Sequence, residues 1–303
     1  MDELAIEVRG LRKFYGELEA VKGIDLSVQR GEVFCLIGPN GAGKTTTLEI
    51  LEGHRPFDEG DVWVLGDDPA LHHRSLRERT GIVLQQTGVE RFLTVEETIR
   101  QFRGYYRHPL PVDRILEMVG LTEKRKSLVR RLSGGQMRRL DVAVALAGDS
   151  ELLFLDEPTT GFDPAARRGA WEMVRGLRQL GKTILLTTHY MDEAENLADR
   201  VAIISGGEIM IEGTIAELRH RFARTVISFR LPENGVEVPR IARAGRHIAD
   251  GRVRIETEEP TRTVYELTRW AAGERLELED FNVRPAALED IYLDLVGSEA
   301  GEE

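Results

Sequence analysis

Val33–Leu51 reads VFCLIGPNGAGKTTTLEIL: five apolar residues, a glycine-rich turn, then a helical pattern. An unbroken apolar run of strand length is expected of a strand covered on both faces. A helix opening directly after it is the setting in which GxxxxGK[ST] works as a phosphate loop. Gly38, Gly41 and Gly43 let the backbone curl until several N–H groups face one anion, and the helix start adds its positive dipole end. Lys44 is placed to reach the β- and γ-phosphates and Thr45 to ligate Mg²⁺ through its hydroxyl, with Asn40, Gly41, Gly43 and Thr46 lining the same cradle. Cys35, the one cysteine, lies inside the apolar run and is expected in the core. A single cysteine also excludes an intrachain disulfide framework and a Cys-rich metal site.

A second stretch, ELLFLDEP at residues 151–158, is four apolar residues ending in two carboxylates. A buried strand there delivers Asp156 at its carboxyl end, where it holds Mg²⁺ or its water shell beside Thr45. Glu157, one residue further, is expected to face the other way and meet an attacking water. A general base in that position contributes about 10² to 10⁴ in rate.

Outward from these two stretches, the first 220 or so residues alternate strand-like and helical runs, as in an α/β sheet with helices around it. Strands are expected at Ala5–Val8, Val33–Ile37, Val62–Leu65, Ile82–Leu84, Leu152–Leu155, Thr183–Leu186 and Val201–Ile204. Helices are expected at Lys44–Leu51, Val95–Tyr106, Val112–Val119, Gly135–Leu146, Ala165–Leu180 and Asp192–Leu197. Residues 88–148 hold helical patterns and no strand, a helical insertion in the core. From Thr225 on, strand-like VISFRL, RVRIET and ELEDFNV flank helical TRTVYELTRWAA and precede PAALEDIYLDLVG. This segment has 10 Arg, no Lys and 17 acidic residues, so it carries −7 of the chain's −11. The expected organisation is a domain over 1–223, with a helical subdomain at about 88–148, and a small acidic α/β domain over 224–303.

Composition limits the partners. A net charge of −11 argues against nucleic acid as a polyanionic partner but not against a nucleotide, which needs one local positive site. No apolar run approaches the roughly 18 to 20 residues that cross a bilayer, and the acidic, alternating MDELAIEVRG lacks the features of a secretory signal. A cytoplasmic protein is expected. The basic residues Lys124, Arg125, Lys126, Arg130, Arg131, Arg138 and Arg139 read as a solvated helical face with some long-range pull on anions.

At Leu132–Gln136 the sequence is LSGGQ, 23 residues before Asp156 and at the head of an amphipathic helix. Taken alone it is a flexible helix start with Ser133 as N-cap. With the phosphate loop it strongly resembles the ATP-binding cassette of ABC transporters, over roughly Leu4 to Ile215. The resemblance implies roles for further residues. Tyr15 matches the aromatic that stacks on adenine, and Gln85 matches the Q-loop glutamine that senses Mg²⁺ and the γ-phosphate and leads to the permease contact. Asp163 in TTGFDP matches the loop that crosses to the partner subunit, although Phe162 stands where Leu is commoner. His189 in LLTTHYMDEAE matches the switch histidine. Ser133, Gly134, Gly135 and Gln136 are implied to close over the ATP of a second subunit.

That resemblance implies a P-loop cassette fold with antiparallel β and helical subdomains, and an ATPase that uses ATP and Mg²⁺. It implies a dimer, with itself or a homologous cassette, and a separate integral-membrane permease, at the cytoplasmic face of the membrane. The wording EAVKGIDL, GPNGAGKTTTL and HYMDEAE resembles the drug-resistance and ABC-2 type exporters, which move drugs, lipids or other amphipathic molecules. Importer ATPases share the cassette, so import stays open as an alternative. A DNA-repair ATPase would carry a long coiled-coil insertion between Lys44 and Ser133, which only 89 positions separate. A translation-factor ATPase would carry two cassettes in tandem, and there is one.

Overall fold

The computed structural model describes residues 4–84, 88–222, 224–231, 244–249 and 252–299. β1 (Leu4–Tyr15) and β2 (Leu18–Gln29) form a hairpin, β3 (Val33–Ile37) feeds α1 (Lys44–Leu51), and β4 (Glu59–Val64) returns to pair with β1. α2 (Arg74–Arg79) and β5 (Thr80–Val83) follow. Residues 88–148 hold α3 (Val95–Arg103), α4 (Val112–Val119), α5 (Gly134–Ala145) and two short 3₁₀ turns, with no strand. Then come β6 (Leu152–Asp156), α6 (Pro164–Gln179), β7 (Thr183–Thr188), α7 (Met191–Leu197), β8 (Arg200–Ser205) and β9 (Glu208–Thr214).

Two sheets enclose α1. The first is antiparallel, ordered β2–β1–β4; the second has six strands, ordered β5–β6–β7–β3–β8–β9, parallel but for β9. All five residues of β3 are buried, as its unbroken apolar sequence requires between two parallel neighbours. α1 packs on β2 and β4 from one side and on β6 and β7 from the other. Its Leu48 and Leu51 join Ile6, Val8 and Val64 of the first sheet and Phe34, Leu36 and Phe154 of the second in one core. Each such side chain contributes about 1.5 to 3 kcal/mol on burial, so the helix start is gripped from two directions. Gly38 permits this, because a Cβ there would lie 2.2 Å from the Ile204 carbonyl oxygen.

The strands and helices read from sequence are present with shifted ends. α3 stops at Arg103, before Gly104, and β4 stops at Val64, since Leu65 turns left-handed at φ 51°. β2 and β9 lie outside the expected set. Their alternation is interrupted by Gly23 and Gly213, and each is stabilised by a neighbouring strand rather than by its own pattern.

The second compact unit spans Ile215–Glu303, after Met1–Thr214. It contains α8 (Ile215–Arg221), β10 (Thr225–Arg230), β11 (Ala244–Ala249), β12 (Arg252–Thr257), α9 (Pro260–Gly273), β13 (Glu279–Pro285) and α10 (Leu288–Glu299). Its antiparallel sheet runs β11–β12–β10–β13, with Ile227, Phe229, Val253, Ile255 and Leu267 as its core. The two compact units part at Thr214/Ile215, ahead of α8, whereas the expected boundary between 223 and 224 falls after it. α8 packs with α10 of the second unit, a contact between residues far apart in sequence.

Glu52 caps α1 with its side chain only 2% exposed and 3.2 Å from His54 Nδ1. Burial, with Asp156 and Glu49 adding repulsion, raises its pKa from 4.5 to about 8. Between those values the folded chain keeps a proton that the unfolded chain releases, so stability falls as pH rises, by up to about 1.4 kcal/mol per unit. Glu52→Gln carries no such penalty. The melting-temperature gain of Glu52→Gln over the parent is expected to widen from pH 5 to pH 8 and level off above; a constant gap would show that Glu52 is ionised in the fold.

Candidate nucleotide site

In the order β6–β7–β3 three parallel strands end side by side, and each carboxyl end carries part of the site. Asp156 of β6 pairs in register with Thr187 of β7, and Thr188 of β7 with Ile37 of β3. The phosphate loop, the two carboxylates and His189 therefore converge at one sheet edge, where ligands bind in parallel α/β folds.

The phosphate loop fits an anion. Gly41 and Gly43 are left-handed at φ 83° and 102°, and Asn40 and Gly41 are exposed. No side chain caps α1 and no acid sits in its first turn. The N–H groups of Lys44, Thr45 and Thr46 thus lack intrahelical partners and have the positive end of the dipole behind them. Thr45 is exposed. Lys44 is buried, its Nζ donating to the carbonyls of Gly38 at 2.8 Å and Pro39 at 3.0 Å. Burial lowers its pKa, against the pull of Glu157 and Asp156.

Asp156 Oδ1 accepts from Thr187 Oγ1 at 2.6 Å. Glu157 departs from the strand in a left-handed turn, φ 42°, which costs a non-glycine residue about 1 to 3 kcal/mol. Its N–H donates to the carbonyl and the hydroxyl of Thr187, at 3.2 and 3.1 Å. The turn sends its carboxylate to His189, with Oε1 3.2 Å from Nδ1, and to Lys44, 3.8 Å from Nζ. Thr160 Oγ1 donates to its Oε2 at 3.1 Å. Lys44, Asp156, Glu157 and His189 are therefore one cluster.

Sequence reading missed Thr187 and Thr160. The signal was thin: a threonine two positions before His189, and TT after DEP. Among the described residues no group of three or more His, Cys, Asp or Glu is arranged as a metal cage. One carboxylate and one hydroxyl suit Mg²⁺, which keeps several waters and takes its other ligands from phosphates. Gln85 lies outside the described residues.

The LSGGQ residues form a different surface. Ser133 caps α5 in a reciprocal box: its Oγ accepts from Gln136 N–H at 3.3 Å, and Gln136 Oε1 accepts from Ser133 N–H at 3.1 Å. Gly134 and Gly135 are left in the first turn with free N–H groups. Asp163 caps α6 through Oδ1, which accepts from Ala165 and Ala166 N–H. Ser133, Gly134, Gly135, Gln136 and Asp163 line one open cavity of about 870 Å³, and no phosphate-loop residue lines it. Tyr15 is 40% exposed rather than in the core, with the Arg55 guanidinium 5.3 Å from its ring centre.

The basic cluster is not one solvated face. Arg125 pairs with Glu96 and Asp113, Arg139 donates to the carbonyls of Val119 and Gly169, and Arg138 is buried. Lys124, Lys126, Arg130 and Arg131 are exposed.

Comparison with known proteins agrees with this geometry. Residues 21–160 match the ABC transporter family model, and residues 225–287 match the C-terminal domain of ABC transporter domain-containing protein-like chains. The chain is 38% identical over 309 residues to the Nod factor export ATP-binding protein I of Ralstonia nicotianae, covering 97% of this chain and 94% of that one. It is 36% identical over 312 residues to the daunorubicin/doxorubicin resistance ATP-binding protein DrrA of Streptomyces peucetius, covering 98% and 93%. Among solved structures, cbiO1 of Clostridium perfringens, part of the ABC transporter complex cbiONQ, matches with TM-score 0.65 and 26% identity over 73% of this chain and 91% of that one. The dimeric bacterial ABC transporter cassette MJ0796 matches with TM-score 0.60 and 27% identity over 69% and 98%. With relatives of such identity over nearly its whole length, the chain belongs to the ABC transporter family, as an ATP-hydrolysing ATP-binding subunit.

Proposed function

We propose that the chain is the motor of an exporter of drugs, lipids or other amphipathic molecules, working as a dimer on a separate membrane permease at the cytoplasmic face. The exporter reading is supported by relatives whose names specify Nod factor export and daunorubicin resistance. In this reading the permease partner supplies the path; among the described residues no helix is long and apolar enough to cross a membrane.

One observation carries the dimer: the LSGGQ cavity and the phosphate loop are separate surfaces of one chain. Each offers free N–H groups at a helix start, and two such ends facing one polyphosphate make ATP a bridge between two copies. In this reading Lys44, Thr45 and Asp156 hold the phosphates and Mg²⁺. Ser133, Gly134, Gly135, Gln136 and Asp163 approach from the second copy, and Tyr15 stacks on adenine. Glu157 takes the proton of the attacking water, held by Thr187, Thr160 and His189. Gln85 follows β5 and links Mg²⁺ to the permease side. A groove of about 510 Å³ beside β5, walled by Leu51, Leu76, Ile82, Phe102 and Tyr106 and rimmed by polar side chains such as Glu52, His73 and Arg77, offers a mixed surface to a permease helix. The unit from Ile215 carries none of these residues and acts as an accessory domain.

Glu157→Gln is expected to lower ATP turnover by about 10² to 10⁴, while ATP stays bound and a dimer accumulates in sedimentation with ATP and Mg²⁺. Lys44→Ala is expected to weaken ATP binding itself. Normal turnover by the Gln variant would remove Glu157 from the base role. For Tyr15, Trp should preserve ATP affinity and Ala should cost about 1 to 3 kcal/mol of it; equal affinity in all three proteins would remove the stacking.

A further inference from the structure

Arg138 stands on α5, one turn beyond the Ser133 cap, and is 7% exposed. Its guanidinium donates to three backbone carbonyls: Leu84, Asp156 at 3.0 Å and Pro158 at 3.2 Å. Those carbonyls lie immediately before Gln85, at the end of β6, and immediately after Glu157. Asp141 Oδ2, 3.9 Å away, is its nearest carboxylate partner. A desolvated cation held mainly by carbonyl dipoles is poor material for stability, since an apolar side chain of similar volume often serves a core as well. What an apolar side chain lacks is the planar fork of five donors, which fixes three separate backbone points at once.

The geometry points to Arg138 as a positioning residue that couples the two nucleotide sites of the dimer. The inference rests on the shared-site reading above. α5 carries Ser133, Gly134 and Gly135, which meet the nucleotide held by the partner. Through Arg138, the same rigid helix holds the backbone on both sides of its own Glu157 and the residue ahead of its own Gln85. A shift of α5 when the partner's nucleotide docks is passed by a single side chain to the base and the Q-loop of the other site. A change of about 1 Å at such a base is enough to alter rate by about two orders of magnitude.

The test compares Arg138→Met, Arg138→Lys and the parent. Binding of a fluorescent ATP analogue with Mg²⁺ is measured together with KM, kcat and the Hill coefficient of ATP hydrolysis. ATP-dependent dimerisation is followed separately, in each protein with Glu157→Gln added. The expected result for Met is analogue binding and KM within about threefold of the parent, an intact dimer, kcat at least 30-fold lower and a Hill coefficient reduced to 1. Lys, which keeps one donor, is expected between Met and the parent. If the Met variant fails to fold, the Lys variant is read by the same split. Unchanged kcat and Hill coefficient would overturn the role. So would a loss of nucleotide binding in step with kcat, which would make Arg138 a folding residue. Absence of an ATP-dependent dimer in the chain carrying only Glu157→Gln would overturn the shared-site reading, and the coupling with it.

Discussion

Everything at the nucleotide site depends on the parallel adjacency of β6, β7 and β3. Parallel strands point their carboxyl ends the same way, so chain segments around residues 40, 157 and 189 arrive at one edge without any local sequence signal joining them. β7 is the middle strand of the three, and Thr187 near its end touches Asp156 of β6 and Glu157 just beyond it. The antiparallel sheet serves the same arrangement from the other side, by clamping α1 and hence the loop that precedes it. Loss of packing around Leu48 or Phe154 would therefore reach the phosphates without touching them.

At that edge one buried cation meets two carboxylates. Lys44 faces Glu157 and Asp156, Glu157 faces His189, and burial disfavours the charge on Lys44. A nucleotide's phosphate chain enters a site where donors are fixed in place before it arrives, which is how preorganised dipoles lower a barrier without reorganising. The left-handed backbone of Glu157 belongs to the same design. It stores strain to aim one carboxylate: the Glu157 N–H donates to the carbonyl and hydroxyl of Thr187, and the Thr160 hydroxyl donates to the carboxylate.

Much of this was legible in the sequence, and the division follows locality. The phosphate loop, LSGGQ and the DEP carboxylates are runs whose local context lies within about twenty residues, so the elements that carry them could be read directly. Ser133 was read as an N-cap as well as a partner-facing residue, and its cap is present; for Asp163 the cap on α6 was not read. Thr187 and Arg138 were not legible as supports, because their partners are 18 to 54 residues away and reach them only through the sheet order. Arg138 was read instead as part of a solvated basic face, since a charge run carries no mark of which member will be buried. The compact units part ahead of α8 for a similar reason: α8 precedes the change in composition but finds its packing partner in α10.

The central claim is that each nucleotide site is completed by a second chain, and mixing two defective chains tests it most directly. Lys44→Ala and Ser133→Arg homodimers each carry a defect in every site and are expected to be nearly inactive. In a mixed dimer, sites formed across the interface pair both defects in one site and leave the other with intact Lys44 and intact Ser133. Mixing is then expected to restore ATP binding and part of the turnover, with mixed dimers verified by crosslinking. Verified mixed dimers that neither bind nor hydrolyse ATP better than their parents would contradict the shared site.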